Sequence, residues 1–195
     1  VAALTDKEVL ELLVSTGAIL DGHFLLSSGK HAARYIQCAR LLQHPELAYQ
    51  VCLTLQEKTE LLGHIDVVIG PALGGVVIAY ELARVLAVRG MFAERKEGTM
   101  TLRRGFQITE GERVLIAEDV VTTGRSSLEV AEVVRVHSAE VVGIACIVDR
   151  RPKESLLPFS VVSAARMQIP LYEPEDCPLC RRRIPLVKPG SRPQQ

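Results

Sequence analysis

Two stretches of this sequence share one grammar, and that grammar restricts the fold more than any other feature. Residues 65–90 read IDVVIG, PALGG and VVIAYELARVLAVRG, which is a short apolar run, a glycine loop, and a helix that Gly90 ends. Residues 114–137 repeat the order as a strand at 114–118, a loop at 119–126 and a helix over about 127–137. Short unbroken apolar runs suit strands buried on both faces, and strands alternating with helices imply a mostly parallel sheet with right-handed crossovers. VVGIACIVD (141–149) supplies another buried strand, and FSVVSAARM (159–167) one more. The expected fold is α/β, a parallel five-stranded core flanked by helices.

The rest of the chain is arranged around that core. Thr5-x-x-Glu8 reads as a capping box opening a helix, with Val9, Leu10, Leu12 and Leu13 inward and Gly17 as the stop. A second helix is expected over about Pro45 to Leu62, where Leu47, Val51 and Leu55 recur every four residues. Between the two helices, GHFLLSSGKHAARYIQC alternates as two short strands around a Ser-Ser-Gly turn. After Leu171 the sequence is rich in Pro and Arg; an irregular tail is expected, with its last residues disordered.

Composition narrows the function classes. Apolar residues make up 48% of the 195, but aromatics only 4% with no Trp, so Val, Leu, Ile and Ala must fill the core. Lys plus Arg equals Asp plus Glu at 23 each, which leaves no overall field to attract nucleic acid or an anionic membrane. No run approaches the roughly 18–20 apolar residues of a membrane span. The opening VAALTDKEVLELL carries acids and no basic leader region, so no signal peptide is expected. Five cysteines, three of them isolated (Cys38, Cys52, Cys146), are read as reduced thiols of a cytoplasmic protein.

Chemistry concentrates in VLIAEDVVTTGRSS (114–127), where an apolar strand runs into two adjacent acids, Glu118 and Asp119. At the carboxyl end of a parallel strand such groups line the mouth of a ligand site. The stretch Thr122 to Ser127 leads into a helix whose first N–H groups lack intrahelical partners and whose dipole favours an anion. Gly124 permits close approach or positive φ, and Thr122, Thr123 and Ser126 add hydroxyls. Together they make a phosphate cradle that lacks the lysine of a Walker loop and the three glycines of a dinucleotide fingerprint. The plain alternative is that Ser126-x-x-Glu129 is only a capping box. Two carboxylates just ahead of such a cradle suggest a sugar phosphate, since they accept bonds from vicinal hydroxyls. They could also hold a metal through water or stabilise positive charge on the sugar carbon.

This pattern resembles the phosphoribosyl-diphosphate signature of the type I phosphoribosyltransferases. Further stretches resemble the orotate phosphoribosyltransferases, in that family's order. GAILDGHFLLSSGKHAARYIQ (17–37) is similar to its hood, VIGPALGGVVIAYELA (68–83) to its pyrophosphate loop, and VVGIACIVDR (141–150) to the strand ending in its orotate-binding arginine. FAERKEGTMTLRRGF (92–106) and CPLC (177–180) look like a short bacterial branch.

The resemblance implies one domain over 1–195, with an N-terminal helix and hood (about 1–40), a core (about 63–170) and a tail (about 171–195). It implies a Mg²⁺-dependent transfer from phosphoribosyl diphosphate to orotate, giving orotidine 5′-phosphate and pyrophosphate, by a homodimer that engages neither nucleic acid nor membrane. Glu118 and Asp119 would act on the ribose. Val120, Val121, Thr122, Thr123, Gly124, Arg125 and Ser126 would hold the 5′-phosphate, and Thr122 and Arg150 would meet orotate. Ala72, Leu73, Gly74 and Gly75 form the pyrophosphate loop. Arg95 and Lys96 are catalytic candidates, with Arg103 and Arg104 on a mobile lid supplied across the dimer. Without that role Arg150 is a solvated residue of DRRP, and the lid an exposed charged hairpin.

The sequence departs from the relatives' pattern at three points. Ser27 stands where many carry a hood lysine, Leu73-Gly74 replaces Tyr-Lys, and no Lys-x-His pair lies between Lys96 and Arg103. Tyr35 and Ile36 replace an aromatic pair beside the base. Two other readings stay open, a non-catalytic phosphoribosyl-diphosphate sensor and a purine transferase. Cys177 and Cys180 read as reduced thiols on a surface knuckle, or as half a zinc site completed elsewhere or by a second subunit. His23, His31, His44, His64 and His137 are too scattered to pair by spacing.

Overall fold

The computed structural model of this chain describes residues 2–26 and 28–189. Ser27 and the last residues of the tail, expected to be disordered, lie outside the described residues. Helix α1 (Asp6–Ser15) starts with the expected capping box. Thr5 Oγ1 accepts from the Glu8 N–H at 3.3 Å, and Glu8 accepts from the Thr5 N–H at 2.8 Å. Val9 and Leu13 are buried, and Gly17, at φ 67°, turns the chain away. Strands β1 (Ile19–Leu25) and β2 (His31–Ile36) form the antiparallel hairpin, and α2 (Ala39–Leu42) and α3 (Pro45–Thr59) follow, α3 tightening into a 3₁₀ turn at Glu60–Leu62.

The core runs β3 (Val67–Pro71), α4 (Gly75–Leu86), β4 (Arg89–Lys96), β5 (Thr99–Leu102), β6 (Arg113–Val121), α5 (Arg125–Val136), β7 (Glu140–Asp149) and β8 (Val161–Arg166), and of these β4 and β5 lie where the sequence reading placed no strand. The sheet order is β5-β4-β3-β6-β7-β8, with β4, β3, β6, β7 and β8 parallel and β5 antiparallel to β4. Chain order runs outward in opposite directions from β3 and β6. Their following loops therefore diverge and leave a crevice at the carboxyl edge.

Period-two side chains sort the sheet into two apolar layers. Val68, Leu115, Ala117, Ala145 and Ile147 pack with Val9, Leu55 and Leu82 of α1, α3 and α4. Val67, Ile69, Val114, Ile116 and Ile144 pack with Val130 and Val134 of α5. Both faces of the central strands are thus dry, which is why they read as continuous apolar runs. Among the described residues no helix is long and apolar enough to cross a membrane.

Several boundaries differ from the sequence reading. Helix α4 ends at Leu86, with Ala87 left-handed at φ 56°, and Gly90 lies inside β4 instead of capping the helix. A Cβ on Gly90 would stand 2.9 Å from that of Ala83, so close helix–strand packing accounts for this glycine. Strand β6 continues through Val121, which puts Asp119 as well as Glu118 in the strand and not in the loop. Ser126-x-x-Glu129 is not a capping box, because Gly124 is the N-cap of α5 and no side chain caps it. The stretch between Lys96 and Arg103, expected to be a lid, forms the Glu97–Gly98 turn and β5 of a hairpin at the edge of the main sheet.

The tail is not irregular throughout. Strand β9 (Leu171–Tyr172) adds to β2 as the third strand of the hood, a 3₁₀ turn covers Pro174–Asp176, and α6 spans Pro178–Arg181. Val187 crosses back to the hood, donating to the His23 carbonyl at 2.8 Å and accepting from the Leu25 N–H at 2.9 Å. The surface-knuckle reading fails for Cys177, which is fully buried, and two of the scattered histidines, His23 and His31, converge on it.

Leu115→Ala removes a fully buried side chain between β6 and the α3–α4 layer. Stability is expected to fall by about 2–5 kcal/mol, read as a lower urea midpoint at unchanged m-value. A loss under about 1 kcal/mol would mean that the layer repacks without a cavity.

Candidate functional site

The site is built where β3 and β6 end. Successive side chains of a strand face opposite ways, so the two adjacent acids are split between the layers. Glu118, 8% exposed, continues the Val114–Ile116 face toward α5, where Ser127 Oγ donates to it over a long 3.5 Å. Asp119 continues the Leu115–Ala117 face. Its Oδ1 accepts from the Val120 N–H at 2.8 Å, and the Cys38 thiol lies 3.8 Å from its carbonyl oxygen.

The loop leaving β3 closes on the same acid. A Cβ on Gly74 would sit 3.0 Å from both Asp119 carboxylate oxygens, and one on Gly75 would lie 2.9 Å from the Ala117 carbonyl. Glycine is needed here so that backbone can lie against β6. Ala72 is anchored by its N–H to the Ala93 carbonyl at 2.7 Å, while the Leu73 side chain is 86% exposed. Ala72–Gly75 and the acid pair therefore share one crevice.

Beyond β6, Gly124 takes φ 74°, and a Cβ there would strike Leu157 at 2.7 Å. Thr123 Oγ1 accepts from the Arg125 N–H at 3.4 Å, the one local side-chain contact to this turn. Helix α1 satisfies its first turn with its own side chains, whereas the N-cap of α5, Gly124, offers no side-chain cap to the first turn that follows the Thr122–Gly124 loop. The hydroxyls and amides of such a terminus suit an anion.

Arg150 follows β7 at the same edge, its N–H bound to the Val121 carbonyl at 2.9 Å. It is only 9% exposed, yet its Nε and Nη2 have no hydrogen-bond partner among the described residues, and burial lowers its pKa from the ordinary arginine value. It is therefore not the solvated residue that DRRP alone would allow. Arg151 behaves differently, since Asp149 grips its Nε and Nη2 at 3.0 Å each. Desolvation raises Asp149, but the bonds from Arg151 outweigh it and leave the carboxyl below its usual range. Tyr35 of the hood faces this edge. Burial first, then the Asp119 charge, pushes its phenol up, while Arg150 opposes them.

The four basic candidates of the β4–β5 hairpin do not enter the crevice together. Arg95 is ion-paired with Glu129 of α5, and Arg103 and Arg104 both reach Glu94, at 3.5 and 3.1 Å. Lys96 has no ion pair among the described residues and lies exposed before the Glu97–Gly98 turn. A separate cleft of about 540 Å³ between the hairpin and α5, lined by Met100, Leu102, Val133 and Val136, contains none of the crevice residues.

Three elements of this edge carried no sequence signal. They are Cys38 under Asp119, Ser127 on Glu118, and the contact of Gly74 with the acid. Each joins segments distant in the chain or opposite in facing.

Burial, and secondly the Asp119 charge, carries Glu118 from its ordinary 4.5 up to about 8. Asp119 is also raised, by burial, against the Val120 N–H bond. The folded protein thus holds a proton on Glu118 that the unfolded chain releases near pH 4.5. Stability should fall as pH rises through the window from about 4.5 to about 8, at up to roughly 1.4 kcal/mol per unit from this group. Glu118→Gln should flatten that part of the pH–stability profile measured without ligand. Parallel profiles for the two proteins would dismiss the assignment.

Comparison with known proteins gives this edge a family. The phosphoribosyl transferase domain model matches residues 38–165. The chain is 52% identical over 183 residues to an orotate phosphoribosyltransferase of Caldicellulosiruptor bescii, covering 94% of this chain and 96% of that one. It is also 52% identical over 189 residues to the orotate phosphoribosyltransferase of Caldicellulosiruptor saccharolyticus, covering 97% and 98%. Among solved structures, the orotate phosphoribosyltransferase from Aeropyrum pernix aligns with a TM-score of 0.67 at 30% identity, over 82% of this chain and 93% of that one. With the acid pair, the anion loop and the glycine loop on one crevice, the chain belongs to the phosphoribosyl transferase family, among its orotate phosphoribosyltransferases.

Proposed function

We propose that this chain transfers the phosphoribosyl group of phosphoribosyl diphosphate to orotate, releasing pyrophosphate and forming orotidine 5′-phosphate, a step of pyrimidine nucleotide synthesis. The observation that carries the orotate assignment is the buried, unpartnered Arg150 guanidinium beside Tyr35. A planar fork without a partner suits a carboxylate or a ring carbonyl, and an acidic pyrimidine brings both. A purine offers it no acid.

In this reading the Thr122–Ser126 loop and the first turn of α5 hold the 5′-phosphate. Asp119 and Glu118 face the ribose from the two sides of β6. Ala72–Gly75 present backbone to the diphosphate, and Thr122 reaches the base with Arg150. The transition state is close to an oxocarbenium ion with charge growing on the leaving pyrophosphate, so positioning and electrostatics suffice without a covalent nucleophile. Asp119 is placed to favour positive charge on the sugar.

Mg²⁺ would enter with the diphosphate. The hard oxygen donors of Glu118 and Asp119 at this crevice fit such a cation, which would neutralise the departing pyrophosphate. Arg95, Lys96, Arg103 and Arg104 lie on a hairpin that would close across the interface of a homodimer and exclude water. Lys96, free of a carboxylate, is the cation most readily delivered. One domain, a homodimer and a cytoplasmic location complete the reading.

Pyrophosphate release should be followed with Mg²⁺, phosphoribosyl diphosphate and, in turn, orotate, uracil, adenine and hypoxanthine. Turnover with orotate alone is expected. Turnover with a purine would overturn the reading in favour of a purine transferase, and no turnover with any of the four bases in favour of a sensor. Asp119→Asn should lower kcat by about 10²–10³-fold with the fold intact. Arg150→Lys should raise the KM for orotate by about 10–100-fold while the KM for phosphoribosyl diphosphate changes little. Equal effects on both substrates would remove Arg150 from the base.

A further inference from the structure

We propose that His23, His31, Cys177 and Cys180 form a structural zinc site that clamps the tail onto the hood. One ligand atom from each of the four lies within 4.8 Å of every other. Cys177 Sγ is 3.5 Å from His23 Nε2, Cys180 Sγ is 3.7 Å from the same nitrogen, and Cys180 Sγ is 3.4 Å from His31 Nδ1. Zn–N bonds near 2.0–2.1 Å and Zn–S bonds near 2.3 Å at tetrahedral angles put N and S roughly 3.6 Å apart. The two ring nitrogens are closer, at 2.9 Å, and would spread by a few tenths of an ångström around an ion.

The chemistry of the set favours zinc. Two imidazoles and two thiols are the Cys₂His₂ donors of closed structural sites, and no carboxylate in the set would suit a harder ion. Second, independent support comes from the far side of the His23 ring, where Nδ1 lies 2.8 Å from the Ile184 carbonyl. A proton on Nδ1 donated to that oxygen leaves Nε2 bare toward the thiols, the tautomer a ligating histidine needs. Burial fits as well, with His23 2%, His31 5% and Cys177 0% exposed, while Cys180 at the rim gives an entry path. Cys38, Cys52 and Cys146 are buried elsewhere, and burial pushes their thiols up.

The placement explains why the tail needs a clamp. Besides Cys177 and Leu179, residues 171–187 bury little, and β9 is only two residues long. Its other ties to the hood include the β2–β9 pairing, the Val187 bonds, the His23–Ile184 contact and a half-exposed Lys30–Glu173 ion pair at 2.6 Å. A segment of this size cannot build a core of its own, and a metal supplies the missing stabilisation. Four protein ligands leave no open position, so the site is structural and takes no part in the transfer. Its influence would pass through β2, on which Tyr35 lies four residues beyond His31.

The test reads metal before activity. Untagged protein, purified without chelator, should hold one zinc per chain by atomic emission. A mercurial titration should release it as two thiols react. Cobalt replacement should give the ligand-field bands of a tetrahedral site together with thiolate charge transfer. Cys180→Ser and His31→Ala should each lose the metal. Should either fail to fold, the chelator-stripped wild-type chain replaces it, and faster amide exchange over 171–187 and the hood, with the main sheet still protected, is expected. Wild-type protein that takes up no stoichiometric zinc, or holds Cys177 and Cys180 as a disulfide, would overturn the proposal. Neither result depends on turnover, so failure here is distinct from failure of the transferase reading.

Discussion

The structure depends on holding a carboxyl group at the dry end of a strand. Glu118 ends a run in which Val114, Leu115, Ile116 and Ala117 are fully buried, and the same burial that stabilises the strand carries its acid up to about 8. A charge there is costly unless a ligand brings compensating hydroxyls or cations. The sheet supplies rigidity and burial, and Glu118 stands at the crevice on its carboxyl edge. Because the strand alternates, Glu118 and Asp119 lie in two layers, one backed by α5 and the other by the β3–α4 loop.

Other features of the edge follow from the same constraint. Gly74 and Gly75 let backbone approach where a Cβ would clash with Asp119 or Ala117. Gly124 opens an uncapped helix terminus immediately after the acids. Arg150 adds a buried cation with spare donors, whereas its neighbour Arg151 is consumed by Asp149. The adjacent arginines have opposite fates because Asp149 reaches one fork and, among the described residues, no carboxylate reaches the other. The hood brings Tyr35 over this edge, and the tail holds the hood by one short strand, the Val187 crossing and the histidine–cysteine cluster.

The chain's own pattern determined the strand-loop-helix order, four of the five parallel strands, the capping box of α1 and the loop that follows the acids, while β4 lay in a stretch whose charges hid it. These are local or periodic properties. Apolar runs must be buried on both faces, a Thr-x-x-Glu can close its own helix, and Gly124 can take a positive φ wherever the chain goes. Tertiary structure alone decided the rest. That Glu118 and Asp119 face opposite layers depended on β6 running on to Val121. That Gly90 serves packing and not a helix end depended on Ala83 lying beneath it. His23 and His31 stand diagonally across a hairpin, and Cys177 and Cys180 return from about 150 residues away. A tetrahedral set of donors is a relation among three segments in space, and no spacing along one chain encodes it.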